Sequence, residues 1–184
     1  MTGSTRRTTT VDCAYELRVD DVVPGSHESV KNSVDEPLSV DVEPFESRIT
    51  PSHTAQVELT VSNTGTSTVH LSHLSTNAPK PLVSQSAIES FDEETGEYEE
   101  PVLVLVPESY GEVERAPDTC WEPERDGFDV QLALVQTAID PGDSLVRSYE
   151  VWASPNDRQT GVQPGTYEFA EGFGRFTLNV EPDE

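Results

Sequence analysis

The sequence predicts an all-β fold, an antiparallel sandwich of two layers. Apolar and polar residues alternate with a period of two in several short runs, which is the pattern of a strand that buries one face. Turn-forming glycine, proline, asparagine and aspartate residues separate these runs. No stretch repeats its apolar residues at the spacing of an amphipathic helix. Roughly seven or more short strands of this kind are typical of a sandwich.

In the first half of the chain the clearest strand is Thr54–Ser62. Its apolar residues alternate with polar ones: Ala55, Val57, Leu59 and Val61. Asn63-Thr64-Gly65 has the composition of a turn, so we expect Thr68–Leu74 to pair back on this strand as a hairpin. Ahead of that strand we expect a disordered segment over residues 1–10, a first strand at Val11–Val19 and a polar loop at Pro24–Glu36.

In the second half, Pro101–Val106 is a continuous apolar run, which predicts a strand buried on both faces or a strand at the sandwich edge. Ala87–Phe91 and Glu97–Glu99 flank an acidic turn and predict a solvated hairpin tip. Gly111–Gly127 is irregular. Asp140-Pro141-Gly142-Asp143 is a turn by composition. The other expected strands are Phe128–Ile139, Ser144–Trp152, Gly165–Ala170 and Arg175–Val180.

Three aromatic residues are candidates for fixing the packing. Tyr167 follows the tight turn Gln163-Pro164-Gly165 at the start of a late strand. That position suits a tyrosine corner, in which the hydroxyl binds upstream backbone, although Tyr167 could equally serve only for packing. Trp121 and Trp152 are expected to be core anchors.

The charge is strongly one-sided, because 35 acidic and 11 basic residues give a net charge of −24. A disordered acidic chain is one interpretation. The other is a folded, acidic protein of a halophilic cell, where molar salt screens charges beyond a Debye length of about 3 Å. The acids are spread along the chain between strand-like runs, which favours the folded, halophilic interpretation. The same charge argues against nucleic acid as a partner.

A length of 184 residues fits a single sandwich domain over residues 11–184. No run reaches the roughly 20 apolar residues of a membrane span. Arg6-Arg7 is not followed by the apolar stretch of an export signal, so the chain as written is expected in the cytoplasm, or at the cell envelope if its N-terminus is truncated. Cys13 and Cys120 have no metal-site spacing, and both one disulfide and two buried thiols are consistent with the sequence.

The sequence nominates no catalytic, cofactor-binding or metal-binding residues. His70 and His73 lie three positions apart, which on a strand places them on opposite faces, while His27 and His53 are isolated. The loop Asp92–Glu97 is acidic but lacks the ligand spacing of a calcium loop, so weak cation binding is the most it suggests. There is no nucleophile elbow and no phosphate-binding glycine loop, and we expect no enzyme activity.

Five short motifs stand out as turn and core signatures: Val61-Ser62-Asn63-Thr64-Gly65, Cys120-Trp121, Pro141-Gly142-Asp143-Ser144, Tyr149-Glu150-Val151-Trp152 and Pro164-Gly165-Thr166-Tyr167-Glu168-Phe169. Together they resemble immunoglobulin-like β-sandwich proteins of haloarchaea, over roughly residues 40–180. This resemblance implies an immunoglobulin-like antiparallel sandwich with Greek-key connections. Many members of that group look like envelope lipoproteins, which implies an envelope component as a neighbour.

A looser similarity covers Ala138–Phe169, which has a Pro-Gly turn, a strand tryptophan and a Pro-Gly-x-Tyr strand. These features resemble bacterial intracellular proteinase inhibitor domains. The leading expectation is a non-catalytic binding or structural module of a halophilic cell, which contacts a protein or an envelope component through loops at one end or through a sheet edge. The alternative is an inhibitor-like domain that presents a loop to a proteinase, either Tyr110–Gly127 or Ser154–Val162.

Overall fold

Antiparallel β-sheets dominate the computed structural model, which describes residues 13–25, 38–71, 80–124, 128, 137–155, 157 and 160–183. The helical segments within these residues are the single turn α1 (Ser86–Glu89) and a 3-10 turn at Glu108–Tyr110. In chain order the strands are β1 (Tyr15–Pro24), β2 (Leu38–Glu46), β3 (Arg48–Ile49), β4 (Gln56–Asn63), β5 (Val69–Leu71), β6 (Leu82–Val83), β7 (Phe91–Asp92), β8 (Glu97–Tyr98), β9 (Leu103–Pro107), β10 (Thr137–Ile139), β11 (Ser144–Ala153), β12 (Gly165–Glu171) and β13 (Gly174–Pro182).

Two stacked sheets form the body of the fold. The larger sheet has the strand order β2-β4-β11-β9-β6, and the smaller one has the order β12-β13-β1-β3. Two short ribbons, β5-β10 and β7-β8, accompany them. All the pairings between these strands are antiparallel. The predicted all-β architecture is therefore confirmed.

The core lies between the two sheets and is built by strands that alternate in burial. In β4 the inward residues Val57, Leu59 and Val61 are at most 1% exposed, as the sequence pattern predicted. The opposite sheet contributes Phe169 and Phe176, whose rings stack with centroids 5.1 Å apart. Burying each such side chain stabilises the fold by about 1.5–3 kcal/mol.

The chain itself closes both sides of the sandwich. On one side the backbone passes from β2 in the larger sheet to β3 in the smaller sheet, and the carbonyl of Ser47 between them accepts a hydrogen bond from the Leu17 amide at 2.7 Å. On the other side, the Gln85 amide donates to the carbonyl of Glu168 in β12 at 2.7 Å. These bonds link edges that would otherwise be open to pairing with another chain.

A second apolar cluster covers the outer face of the larger sheet. Its centre is Val102, Val104, Val106 and Trp152. All five residues of β9 are buried, which confirms the expectation of a strand buried on both faces. The partly buried side chains that pack against this cluster come from α1, β8, the 3-10 turn and the segments that follow it: Ala87, Tyr98, Tyr110, Val113, Trp121 and Phe128. Trp152 thus anchors this outer cluster, and the half-buried Trp121 packs against its edge.

The expected hairpin between Thr54–Ser62 and Thr68–Leu74 is wrong. Strand β5 pairs with β10, because both edges of β4 are already occupied by β2 and β11. The Asn63 side chain fixes this crossing, since its Nδ2 atom donates to the carbonyls of Ser67 at 2.7 Å and Ile139 at 2.9 Å. Its Oδ1 atom accepts from the Gly65 amide at 2.9 Å.

Most of Ala87–Phe91, expected as one arm of a hairpin, forms the helical turn α1 instead, and only Phe91 lies in β7. The other strand predictions differ from the structure mainly at their ends. The first strand begins at Tyr15 and runs past an irregularity at Asp21, which has a φ of 51°. Strands β11, β12 and β13 and the turn Asp140–Asp143 lie where the sequence predicted them. Residues 1–12, most of the Pro24–Glu36 loop and residues 129–136 of the Phe128–Ile139 run lie outside the described residues. In the part of the chain that the structure describes, no helix is long and apolar enough to cross a membrane.

Candidate functional site

Three connecting segments meet at one end of the sandwich, where β1 and β4 begin and β11 ends. They are residues 47–55, which include the two-residue strand β3, and the loops 111–124 and 154–164, and we call this surface the disulfide end. Cys13, just before β1, forms a disulfide with Cys120, with an S–S distance of 2.02 Å and a Cα–Cα distance of 5.4 Å. Both cysteines are 2% exposed. Of the two states that the sequence left open, the structure thus contains the disulfide.

Gly161 and Val162, in the described part of the loop 154–164, pack directly against Cys120. The Val162 amide donates to the carbonyl of Cys120 at 2.6 Å, and the Gly161 amide donates to Glu122 Oε2 at 3.0 Å. Gly161 has a φ of +77°, and a Cβ atom there would lie 2.7 Å from the Cys120 nitrogen. Only glycine fits this backbone conformation and this close approach. The two loops are therefore packed backbone against backbone.

Trp121 links its own loop to the segment 47–55 and to the end of β11. Its Nε1 atom donates to the carbonyl of Thr50 at 2.7 Å, and its own carbonyl accepts from the Ala153 amide at 2.9 Å. Its ring meets Trp152 edge-on at 5.2 Å, and the Arg115 guanidinium lies 5.0 Å from its ring centroid. Trp121 has a φ of 55°, which is unfavourable for a bulky residue. These contacts hold the strained backbone in place.

The loop 47–55 contains a turn built on a hydroxyl group. Thr50 Oγ1 accepts from the amides of Ser52 and His53, each at 3.2 Å, and lies 3.0 Å from His53 Nδ1. His53 Nε2 lies 3.8 Å from Glu46 Oε1. The Thr50 hydroxyl, the His53 imidazole and the Glu46 carboxylate thus lie in a row. Because the Thr50 hydroxyl already accepts two backbone hydrogen bonds in the turn, we assign these three groups to the structure of the loop. The threonine three residues before His53 is the feature of the sequence from which this turn could have been predicted.

Tyr167 forms the predicted tyrosine corner. Its hydroxyl donates to the carbonyl of Gln163 at 2.8 Å, and the residue is 4% exposed. Burial raises the pKa of the Tyr167 phenol well above its ordinary value, so the hydroxyl keeps its proton. The corner fixes the end of the loop 154–164 against the first residues of β12.

Two carboxyl groups are partly buried where these loops meet, Asp157 in the loop 154–164 and Glu122 in the loop 111–124. Asp157 Oδ2 accepts from the Val102 amide at 2.9 Å, whereas Asp157 Oδ1 is buried with no hydrogen-bond partner among the described residues. Burial raises the pKa of Asp157 to about 7, the Val102 N–H opposes the shift, and the negative charge of Glu122 adds to it. Burial also raises the pKa of Glu122, and the hydrogen bond from Gly161 opposes that shift. Sequence reasoning did not find this pair among 35 acidic residues.

The structure brings together the two loops that the sequence nominated for an inhibitor. Tyr110–Gly127 and Ser154–Val162 meet at Cys120 and Glu122. Residues 125–127, 156, 158 and 159 of these loops lie outside the described residues.

The other nominated residues lie elsewhere. His70 is exposed on β5, and His27 and His73 are outside the described residues. In the Asp92–Glu97 loop, Asp92 Oδ1 accepts from the amides of Glu94 at 2.9 Å and Thr95 at 3.4 Å, which is an ordinary turn of the β7-β8 hairpin. Within the described ranges no three histidine, cysteine or acidic side chains are grouped as metal ligands would be.

Comparisons with protein-family models, with curated proteins and with solved structures find no match to this chain.

Proposed function

We propose that this chain is a non-catalytic binding or structural module of a halophilic cell, and that it contacts a protein or an envelope component through the disulfide end. The observation that carries the proposal is the joining of three loops at Cys120 and Trp121 by a disulfide, backbone hydrogen bonds and ring contacts. Loops held on a rigid sandwich are where binding surfaces of such folds are found. A surface ordered in advance loses little entropy when it binds.

We further propose that the sandwich is immunoglobulin-like with Greek-key connections. The tyrosine corner at Tyr167 supports this topology, because such corners recur in immunoglobulin-type sandwiches. The chain crosses from β2 in the larger sheet to β3 in the smaller sheet, and this crossing also supports the proposed topology.

The charge arrangement supports a salt-rich environment. Glu43 and Glu58 are direct cross-strand partners on the exposed face of β2 and β4. Like charges at this spacing repel each other. Molar salt reduces that repulsion, and with it the repulsion within a chain of net charge −24.

The disulfide supports an oxidising compartment, on the outer side of the cell envelope. Such bonds form and persist in oxidising surroundings and are rare in the cytosol of most cells. The bond between Cys13 and Cys120 spans 107 positions and lies under the proposed binding surface. A module of the cell exterior would depend on it for the shape of that surface.

The proposal is tested with two variants, each of which introduces one arginine at one end of the sandwich. Ser52 is exposed at the disulfide end, and Ser67 is exposed at the opposite end, after β4. We expect Ser52→Arg to reduce retention of the purified protein on host envelope membranes in molar KCl, and Ser67→Arg to leave retention unchanged. Equal retention of both variants, with both folded, would refute a role for the disulfide end.

A second candidate function, inhibition of a proteinase, is supported by the way in which the loop 154–162 is anchored. Its first residue, Ser154, donates its amide to the carbonyl of Val102 at 3.0 Å, and its end is fixed to Cys120 by Val162. Proteinase inhibitors likewise present a loop whose ends are rigidly held. We expect an inhibitor to lower the rate of a host proteinase at stoichiometric amounts while the loop resists cleavage. Rapid cleavage without inhibition would exclude this candidate.

A further inference from the structure

Exposed apolar side chains concentrate along the β6 edge of the larger sheet. Within the described residues six large apolar side chains are exposed, and three of them lie between positions 83 and 91: Val83 at 37%, Ile88 at 76% and Phe91 at 47%. We call these three residues, together with Tyr98, the edge patch. Single exposed apolar residues are ordinary, whereas a group of them marks a surface that interacts.

The edge patch continues the second apolar cluster to the surface. Val83 pairs with Val104 across β6 and β9, so both side chains lie on the outer face of the larger sheet. Phe91 pairs with Tyr98 in the β7-β8 ribbon, and their rings lie 5.3 Å apart. Tyr98 in turn packs against the cluster that contains Val104. The exposed rings and aliphatic groups therefore rest on a buried apolar base.

Serine side chains fix the segment that carries the patch to β9 and the residues before it. Ser84 Oγ accepts from the Leu103 amide at 3.1 Å and lies 2.9 Å from Ser86 Oγ. Ser86 Oγ donates to the carbonyl of Pro101 at 3.0 Å. These bonds hold the start of α1, the turn that contains Ile88. A surface that is ordered before binding loses less entropy when a partner arrives.

The charges beside the patch indicate which partner fits it. Residues 86–100 include seven acidic residues, and no lysine or arginine occurs over residues 81–114. Glu89 follows Ile88 directly, and Glu93 lies at the tip of the ribbon, and both glutamates are exposed. A second copy of this chain would bring two acidic borders together, and such like-charge contacts are unfavourable. A partner with positive charge is favoured instead.

We propose that the edge patch is a second interaction surface, which binds a segment of another protein whose apolar side chains are flanked by arginine or lysine. The apolar side chains of that segment pack on Ile88 and Phe91, and its cations lie against Glu89 and Glu93. Because molar salt screens charges beyond about 3 Å, apolar contact provides most of the affinity and the ion pairs provide selectivity. The patch lies outside the three segments of the disulfide end, so the proposal does not rest on the function proposed above.

Two synthetic peptides of equal charge test this proposal on the full chain in molar KCl. One alternates leucine with arginine, and the other alternates serine with arginine. We expect the leucine peptide to bind and to shift the amide resonances of Phe91 and Tyr98 in an NMR titration, and the serine peptide to bind about tenfold more weakly or less. No binding of the leucine peptide, equal binding of both peptides, or shifts confined to other parts of the chain would overturn the edge patch.

A matched pair of variants locates the apolar contact. We expect Ile88→Ser to weaken binding of the leucine peptide by about tenfold. Val146→Ser alters a valine that is 45% exposed on β11, outside the patch, and is expected to leave binding unchanged. Equal effects of the two variants would overturn the assignment.

A second pair locates the charge contact. Replacing Glu89 and Glu93 by glutamine is expected to weaken binding of the leucine peptide about twofold, the scale of exposed ion pairs. Replacing Glu43 and Glu58 removes the same charge from β2 and β4, at the opposite edge of the larger sheet, and is expected to have a smaller effect. Equal effects would overturn the preference for a cationic partner.

Sedimentation of the protein alone in molar KCl distinguishes a second copy as the occupant. A monomer supports the proposal, whereas a dimer that Ile88→Ser abolishes would overturn it in favour of self-association. Failure of the Ser52→Arg binding test leaves all these measurements unaffected, so the two proposals fail separately.

Discussion

The Tyr167 hydroxyl donates a hydrogen bond to the carbonyl of Gln163, four residues earlier in the chain, at 2.8 Å. This bond spans the turn that leads from the loop 154–164 into β12. The ring lies against Gly165, where a Cβ atom would meet its Cε2 atom at 3.5 Å. The corner therefore couples the disulfide end to the smaller sheet.

Tyr167→Phe tests the energy of that bond. We expect the free energy of unfolding to fall by about 1 kcal/mol, because the Gln163 carbonyl loses its donor while the ring packing is kept. The measurement is denaturant unfolding in molar KCl. Tyr98→Phe is the control, since no hydrogen bond of its hydroxyl is found within the described residues, and its effect is expected within about 0.5 kcal/mol. An unchanged midpoint for Tyr167→Phe would reduce the corner to packing.

The charge distribution predicts that the fold depends on salt. We expect the circular dichroism spectrum to show a folded β protein in molar KCl and loss of structure in millimolar KCl, because a net charge of −24 is then poorly screened. A spectrum that is identical in both conditions would contradict the halophilic interpretation.

Two variants separate local repulsion from net charge. Glu58→Gln removes the cross-strand repulsion with Glu43, whereas Glu181→Gln removes an ion pair with Arg18 that measures 3.4 Å. Each removes one negative charge. At the lowest KCl concentration at which the protein remains folded, we expect Glu58→Gln to raise the free energy of unfolding by a few tenths of a kcal/mol more than Glu181→Gln does. Equal effects would show that only the total charge matters.

The disulfide is expected to contribute substantially to stability, because it links residues 107 positions apart. We expect replacement of both Cys13 and Cys120 by serine to lower the free energy of unfolding by about 2–4 kcal/mol. Denaturant unfolding of the oxidised protein and of the double variant provides the comparison. A loss below about 1 kcal/mol would show that the hydrogen bonds of Cys120 and Trp121 hold the loops without it.

Gly161→Ala tests the contact between the two loops. The added Cβ atom would lie 2.7 Å from the Cys120 backbone nitrogen, in addition to the strain of a φ of +77°. We expect a loss of more than about 2 kcal/mol. Gly142→Ala is the matched control, because Gly142 has a φ of +83° but no atom within 4 Å of its Cβ position. We expect Gly142→Ala to lower the free energy of unfolding by about 1 kcal/mol. Equal losses in the two variants would show that the two loops can separate to make room for the added Cβ atom.

Local patterns were enough to predict the strands whose alternation is strict, such as β4 with Val57, Leu59 and Val61. They failed at β5, because the choice of its partner depends on which strand edges are already occupied. The tyrosine corner was predictable since Gln163 and Tyr167 are close in sequence. The sequence left the disulfide open against two buried thiols, and it did not predict the partly buried carboxyl groups of Asp157 and Glu122, because both features depend on segments that meet only in three dimensions.

The Asp157 carboxyl also predicts how overall stability changes with pH. Its pKa is raised in the folded state to about 7 from 3.8, so the folded protein binds more protons than the unfolded chain between these values. Its contribution is therefore fully present below about pH 4 and is lost as the pH rises through 7. Over this pH range we expect the free energy of unfolding of the wild type to fall by about 1–2 kcal/mol more than that of Asp157→Asn. This figure is reduced because Asp157 is partly exposed to solvent. The measurement is denaturant unfolding of both proteins in molar KCl at pH 4.5, 6 and 8. The other carboxylates are common to both proteins, so their contributions cancel in the comparison, and parallel curves would show that Asp157 titrates normally.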